Sequence, residues 1–206
     1  DSGSYVLIGT RRPPVSGEAD ESGIGHTGGV RDVVILGSTG SIGTQALDVV
    51  RRNGVNIRSP KGDFNARPHA ARTPEEIGIC DLVIIALKAT ANREFPKLLP
   101  PLVGPHTAVL TLQNGLGNEE ALVKLFPPTQ ILGGLCFVCL NRIAPGVVQH
   151  LDHGLVMLGE FQRWPEPRTH DLATMTSSTR SRQFASSRAR PRTSRLSALV
   201  RGELDV

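Results

Sequence analysis

The residues best suited to binding chemistry form a glycine-rich turn between a predicted strand and a predicted helix. The turn has the spacing G-x-x-G-x-x-G and consists of Gly37, Ser38, Thr39, Gly40, Ser41, Ile42 and Gly43. An apolar run at 33–36 precedes it, and apolar residues at helical spacing follow over 42–52. In this context glycine lets backbone N–H groups approach a pyrophosphate, and the helix N-terminus adds positive dipole and free donors. We predict a dinucleotide-binding turn; the alternative is a strand-to-helix turn that binds no ligand.

Two polar residues follow other predicted strands. Lys88 comes directly after the apolar run 81–87, and Asn114 follows the run 107–112. Ligands of open α/β sheets bind outside the carboxyl ends of the strands. We therefore predict that Lys88 and Asn114 contact the cofactor or the substrate. The alternatives are a surface lysine that keeps its ammonium in water and an asparagine that serves the turn before Gly115.

The sequence lacks the element that normally follows such a turn. A second strand usually ends, about 20 residues on, with an acid for a ribose or an arginine for a 2′-phosphate. Here 55–58 is a short alternation of apolar and polar residues without an acidic end. Arg51, Arg52 and Arg58 could serve a 2′-phosphate, or they could simply be solvated.

The cysteine and histidine positions give little indication of metal or redox chemistry. Cys136 and Cys139 have C-x-x-C spacing, but they lie in a predicted strand, where the two side chains point to opposite faces. His150, Asp152 and His153 flank a predicted tight turn, and no further ligand cluster is evident. We predict no metal site.

The predicted elements give an α/β fold of Rossmann type. Apolar strands alternate with helices, which favours a parallel sheet. Helical segments are predicted at 74–77, 91–99 and 119–126. The last strands, at 131–140, 147–151 and 155–158, are separated by turn signals at 144–146 and 152–154, so we predict that they pair antiparallel.

The 206 residues divide into three zones: a flexible leader at 1–30, a Rossmann-type NADP-binding domain at 31–161, and a disordered basic tail at 162–206. The tail is rich in Arg, Ser and Thr and lacks sustained periodicity. The net charge of +4 comes from this tail, which contains arginine but no lysine. The excess of basic residues therefore does not indicate that the folded part binds nucleic acid.

The composition limits the classes of partner and the cellular compartment that we expect. Three cysteines in 206 residues argue against a disulfide scaffold and favour a reducing compartment, so we expect a cytoplasmic protein. No apolar run approaches the roughly 18 residues that a membrane span needs. We expect a small-molecule partner and neither nucleic acid nor membrane; an oligomer is left open.

Residues from about 50 to 175 resemble ketopantoate reductase (2-dehydropantoate 2-reductase). The similarity is carried by the segments 53–57, 81–89, 112–118, 141–146 and 153–160. Residues 33–52 instead resemble the opening of 1-deoxy-D-xylulose 5-phosphate reductoisomerase, whose first turn also reads Gly-Ser-Thr-Gly-Ser-Ile-Gly. Both families use NADPH on a Rossmann domain, so either resemblance implies NADPH as the cofactor.

The first resemblance implies hydride transfer from NADPH to the ketone of 2-dehydropantoate, giving pantoate for coenzyme A synthesis. Lys88 and Asn114 match family positions that line the cofactor and substrate site. The family's catalytic lysine and a substrate-binding glutamate come from a C-terminal helical domain. No lysine follows Met175 in this sequence, so no residue matches the general acid and we expect impaired turnover.

Three alternatives remain from the sequence. The chain could be a noncatalytic NADP-binding fragment, which would bind NADPH without forming pantoate. It could also be a reductoisomerase-like NADPH-binding module. Finally, its arginine-rich tail could bind nucleic acid, which would show as a steep salt dependence.

Overall fold

A single mixed sheet of ten strands runs through the part of the chain that the computed structural model describes, residues 5–9, 33–38, 43–176 and 200–203. The strands are β1 Tyr5–Gly9, β2 Val33–Ser38, β3 Val55–Arg58, β4 Phe64–Ala66, β5 His69–Ala71, β6 Cys80–Ala86, β7 Val103–Thr111, β8 Ile131–Ala144, β9 Val147–Glu160 and β10 Val200–Glu203. The α-helices are α1 Gly43–Asn53, α2 Phe95–Leu98, α3 Asn118–Leu122 and α4 Pro167–Thr176. Short 3-10 helices lie at Pro74–Glu76, Ala89–Glu94 and Pro128–Gln130. None of the described helices is both long and apolar enough to cross a membrane.

The order of the strands confirms the predicted α/β class. It is β4-β3-β9-β8-β7-β6-β2-β1-β5, with β10 also paired to β9. The centre of the sheet, β2-β6-β7-β8, is parallel. β8 and β9 pair antiparallel along a long hairpin, as the short connection predicts. The fold is therefore Rossmann-like with antiparallel C-terminal strands.

The central strands are apolar on both sides because both faces of the sheet are covered. On one face Val34, Leu36, Val83 and Ile85 pack with helical side chains that include Phe95. The other face is a second cluster, formed by Leu82, Ala108, Leu110, Leu132, Val156, Leu158 and Leu172. Burial on both faces explains the near-continuous apolar runs that predicted β6 and β7.

The turn predicted at 152–154 is wrong: this segment is a bulge inside β9. Phe137 pairs with Leu155 and Val138 with His153, so Gly154 is the extra residue. His153 (φ 65°) and Gly154 (φ 125°) take the left-handed conformations that also occur in turns. The buried His150 stabilises the bulge, because its Nε2 lies 3.1 Å from the carbonyl oxygens of both Asp152 and His153. Since carbonyl oxygens only accept, this nitrogen is the donor.

The position beside β2, where a second parallel strand is normally found, is occupied by β1. β2 lies between β6 and β1, so the side away from β6 is occupied by an antiparallel strand from the N-terminal segment. β3 does not lie beside β2; it pairs parallel with the start of β9 and antiparallel with β4. The alternation at 55–58 therefore belongs to the part of the sheet next to the β8–β9 hairpin.

Three elements lie in zones that the sequence predicted to be flexible or disordered. β1 belongs to the predicted leader, while α4 and β10 belong to the predicted tail. They form because each has a partner: β1 pairs with β2 and β5, β10 pairs with β9, and α4 buries Leu172. Residues 1–4, 10–32, 177–199 and 204–206 lie outside the described residues, so the predicted division into leader, domain and tail stays a prediction there.

Candidate functional site

The carboxyl ends of three parallel strands meet at one edge of the sheet. Gly37 in β2 is aligned with Ala86 in β6, and Ile85 in β6 is aligned with Thr111 in β7. The glycine turn, the Lys88 loop and the loop 113–118 therefore begin side by side. This is the edge where open α/β sheets bind ligands, and it is called the carboxyl edge below.

The glycine turn has the predicted strand before it and the predicted helix after it. Gly37 and Ser38 end β2, and Gly43 begins the 11-residue helix α1. Thr39, Gly40, Ser41 and Ile42 lie outside the described residues, so their contact with a pyrophosphate stays a prediction. A Cβ added at Gly37 would meet none of the described residues within 4 Å. The end of β2 thus leaves room for a ligand, and the start of α1 suits an anionic one.

Lys88 leaves the core at this edge with its ammonium exposed. Leu87, just before it, is buried and fixes the end of the strand. The carbonyl of Lys88 accepts a 2.8 Å hydrogen bond from the backbone N–H of Ala91 at the start of a 3-10 helix. Among the described residues, the Lys88 side chain has neither an ion pair nor a hydrogen bond. Its positive charge is available to an anionic ligand.

Asn114 is exposed on a loop that is held from beneath. The neighbouring Gln113 and Asn118 are buried. Asn118 Nδ2 donates to the carbonyl oxygens of Gln113, Asn114 and Gly115 at 3.3–3.5 Å. Gly115 (φ 105°) and Gly117 need left-handed backbone, which glycine adopts without strain. The Asn114 carboxamide makes no hydrogen bond within the described part of the chain and can serve a ligand.

Sequence analysis missed three amides that support this edge: Asn92, Gln113 and Asn118. Gln113 Nε2 donates to Asn92 Oδ1 at 2.9 Å, which links the two loops. The sequence signal was weak, because an amide near a glycine also fits an ordinary turn. Only the structure shows that two of these side chains are buried.

The three candidate arginines lie elsewhere. Arg51 Nε donates to the carbonyl of Ala70 at 2.8 Å, and its Nη2 forms a 3.4 Å ion pair with Glu76. Arg52 is exposed on α1. Arg58 lies at the end of β3 beside a cavity of about 250 Å³. None of these contacts connects an arginine to Lys88 or Asn114.

The cysteines and histidines do not form a metal centre in the described residues, where no three His, Cys, Asp or Glu side chains converge. Cys80, Cys136 and Cys139 form no disulfide in the described part of the chain. Although Cys136 is exposed, desolvation by neighbouring residues raises the pKa of its thiol, which disfavours the reactive thiolate. His150 Nδ1 lies 3.0 Å from Ser59 Oγ, so both of its ring nitrogens have partners.

The carboxyl edge combines an exposed cation, an exposed carboxamide and the N-terminal end of a helix. These groups suit a ligand that carries phosphates together with an amide or a hydroxyl. The described residues of the edge therefore fit a nicotinamide dinucleotide.

Comparisons with a family model and with curated proteins point to the same enzyme family. The family model described as ketopantoate reductase PanE/ApbA matches residues 39–163. The 2-dehydropantoate 2-reductase of Nostoc sp. is 44% identical over 117 residues, covering 54% of this chain and 35% of the relative. The enzyme of the same name from Halobacterium salinarum is 30% identical over 147 residues, covering 71% of this chain and 47% of the relative. The match begins inside the glycine turn, so it includes most of the segment that resembles the reductoisomerase.

Solved structures show the same fold. The 2-dehydropantoate 2-reductase from Geobacter metallireducens matches with a TM-score of 0.58 and 40% identity, covering 69% of this chain and 54% of that one. A D-mandelate dehydrogenase complex with NADH and anilino(oxo)acetate has a TM-score of 0.54 at 20% identity, covering 65% of this chain and 42% of that one, and shows likeness of fold alone. The chain spans about half the length of these relatives, or less.

Proposed function

Because this chain belongs to the ketopantoate reductase family, we propose that it binds NADPH at the carboxyl edge and acts in the reduction of 2-dehydropantoate to pantoate. The substrate is a small 2-keto acid, and the expected compartment is the cytoplasm. The names of the relatives support the reaction, and the fold supports a dinucleotide cofactor. The choice of NADPH over NADH rests on the family resemblance.

One observation carries the proposal: the strand register brings the glycine turn, Lys88 and Asn114 to the same edge. Gly37, Ala86 and Thr111 lie on adjacent parallel strands at their carboxyl ends. A dinucleotide extends along such an edge, from a pyrophosphate at the helix N-terminus towards the neighbouring loops. A ligand that extends along this edge would therefore contact all three features.

The proposed role of this chain's residues is to bind and orient the cofactor and the substrate. The glycine turn would hold the pyrophosphate through backbone N–H groups. Lys88 would place its positive charge beside an anionic group, and Asn114 would hydrogen-bond a carboxamide or a hydroxyl. The cofactor supplies the hydride that reduces the ketone.

A second candidate is cofactor binding without turnover. It is favoured by the composition of residues 176–206, which include arginine but no lysine that could match the family's general acid. Loss of a general acid costs roughly 10²–10⁴ in rate. Both candidates require the same NADPH site and differ only in the chemical step.

The test is an NADPH titration of the purified chain followed by cofactor fluorescence, with 2-dehydropantoate added at saturation. We expect saturable binding that is weakened about tenfold or more by Lys88→Ala, since a charge-assisted hydrogen bond contributes about 1.5–3 kcal/mol. Lys97→Ala is the matched control, because Lys97 is also exposed but lies on α2. A parallel NADH titration tests the preference for the 2′-phosphate.

The outcomes separate the candidates. Binding followed by oxidation of NADPH supports the reductase, whereas binding without oxidation supports the noncatalytic alternative. Absence of binding, or an equal effect of the two lysine substitutions, would contradict the proposed site.

A further inference from the structure

A continuous chain of side-chain hydrogen bonds lies beneath the carboxyl edge. Thr111 Oγ1 donates to Gln113 Oε1 at 3.1 Å, and Gln113 Nε2 donates to Asn92 Oδ1 at 2.9 Å. Asn92 Nδ2 donates to Asn118 Oδ1 at 2.9 Å. Asn118 Nδ2 then donates to the carbonyl oxygens of residues 113–115. The chain connects the end of β7, the 3-10 helix after Lys88, and the loop that carries Asn114.

The direction of this chain is fixed at one end. Backbone carbonyl oxygens only accept, so Asn118 must present its amide nitrogen to them and its oxygen to Asn92. Asn92 must then direct its nitrogen to Asn118 and its oxygen to Gln113. Each amide therefore has one orientation that satisfies all of its partners.

The connection is well placed to hold the two loops at a fixed spacing. Gln113 and Asn118 are 8% and 2% exposed, so water cannot readily replace a lost partner. Asn92 lies in the 3-10 helix Ala89–Glu94, for which the preceding Lys88 is the N-cap residue. Asn118 is the first residue of α3 and holds the carbonyl of Asn114 itself. A rigid link thus runs from one candidate ligand contact to the other.

We propose that Asn92, Gln113 and Asn118 are positioning residues that set the spacing between the Lys88 and Asn114 loops. The inference rests on the proposed function, because those loops carry the proposed ligand contacts. The three amides need not touch cofactor or substrate; they act through the loops. A misplacement of about 1 Å in such a site costs up to about 10²-fold in rate.

The experiment measures the spacing directly. Spin labels are placed at two exposed positions through Ala89→Cys and Leu116→Cys, with Cys136→Ser and Cys139→Ser to remove the exposed native thiols. The distance distribution between the labels is recorded without cofactor in the parent and in Asn92→Leu. Asn65→Leu is the matched control, because Asn65 donates to Asn53 and Asn56 within 3.0 Å, away from this edge.

We expect a shifted and broadened distribution with Asn92→Leu and an unchanged one with Asn65→Leu. Asn92→Asp keeps the acceptor for Gln113 but sets a carboxylate oxygen against Asn118 Oδ1, so it should also shift the distribution. This variant also serves if Asn92→Leu does not fold. An unchanged distribution in the Asn92 variants would overturn the proposal.

A second readout separates positioning from general damage. NADPH binding, and kcat where turnover is present, should fall below the parent in both Asn92→Asp and Asn92→Leu, while Asn65→Leu matches the parent. A loss that is equal in Asn92→Leu and Asn65→Leu would contradict a positioning role. If the parent binds no NADPH, the proposed function fails, while the label distances still decide whether the amides set the spacing.

Discussion

At the scale of single residues, glycines in this chain have two distinct roles. Gly54 has a φ of 71°, and an added Cβ would lie 2.4 Å from the carbonyl oxygen of Ala66. Gly37 has neither constraint within the described part of the chain, since its φ is outside the left-handed region and a Cβ there would meet nothing within 4 Å. The fold therefore requires glycine at 54, whereas at 37 the proposed ligand is what requires it.

This contrast gives a prediction that separates stability from binding. Gly37→Ala should change the free energy of unfolding by less than about 1 kcal/mol but weaken NADPH binding about tenfold, equivalent to about 1.4 kcal/mol. Gly54→Ala should lower the free energy of unfolding by about 2–4 kcal/mol, from backbone strain and overlap. Urea denaturation and NADPH titration of both variants provide the measurements. Unweakened binding in Gly37→Ala would exclude a close approach of the ligand at this residue.

At the scale of elements, α4 is held against the sheet by a buried carboxylate. The Glu160 side chain at the end of β9 is fully buried and accepts hydrogen bonds from Arg168 Nε at 2.9 Å and from Thr169 Oγ1 at 2.7 Å. The hydrogen bond to Glu160 raises the pKa of Arg168, so the guanidinium stays charged. Leu172 adds apolar contact with the sheet face. These contacts explain why a helix forms inside a segment whose sequence lacks helical periodicity.

The pair predicts a specific pattern of stability changes. Arg168→Met should lower the free energy of unfolding by about 2–4 kcal/mol, because it leaves the buried Glu160 without its cationic partner. Adding Glu160→Gln to this variant should restore part of the loss, since the amide carries no charge and still accepts from Thr169. Arg163→Met, which breaks an exposed pair with Glu166, should cost at most about 1 kcal/mol. Equal losses in Arg168→Met and Arg163→Met on urea denaturation would contradict this account.

The same elements show how far the sequence could predict the structure. The apolar run at 81–87 predicted β6 because burial on both faces leaves a local signal. The bulge around His153 and Gly154 was not predictable, since it depends on the buried His150 of the same strand. Likewise β1 and β10 form by pairing with strands that are distant in sequence. Because these two strands are only five and four residues long, their own sequences carry little signal.

The candidate site was partly predictable for a related reason. Lys88 and Asn114 follow apolar runs, and the parallel pairing of β6 with β7 places both at the same edge, as expected. Their role in binding stays a prediction. The amide chain through Asn92 was missed because hydrogen bonds between side chains that are 21 and 26 residues apart depend on tertiary structure.

At the scale of the whole molecule, the proposed site belongs to the central core. β2, β6 and β7 supply the carboxyl edge, and Leu36, Ile85 and Val109 from these strands are buried in one cluster. Loops at this edge are therefore attached to strands that are expected to unfold together. A ligand that bridges the ends of all three strands should stabilise the cooperative unit and not only the loops.

Saturation with NADPH should accordingly shift the entire unfolding transition. At a free concentration 100 times the dissociation constant, binding to the native state adds about 2.7 kcal/mol to the free energy of unfolding. Thermal unfolding followed by circular dichroism, with and without NADPH, measures the shift. Gly37→Ala is the control, because it should keep its own stability while a tenfold weaker affinity lowers the shift to about 1.4 kcal/mol, roughly half, at the same NADPH concentration. A shift of equal size in Gly37→Ala would place the cofactor away from the glycine turn, since only a ligand that contacts the end of β2 is sensitive to a methyl group there.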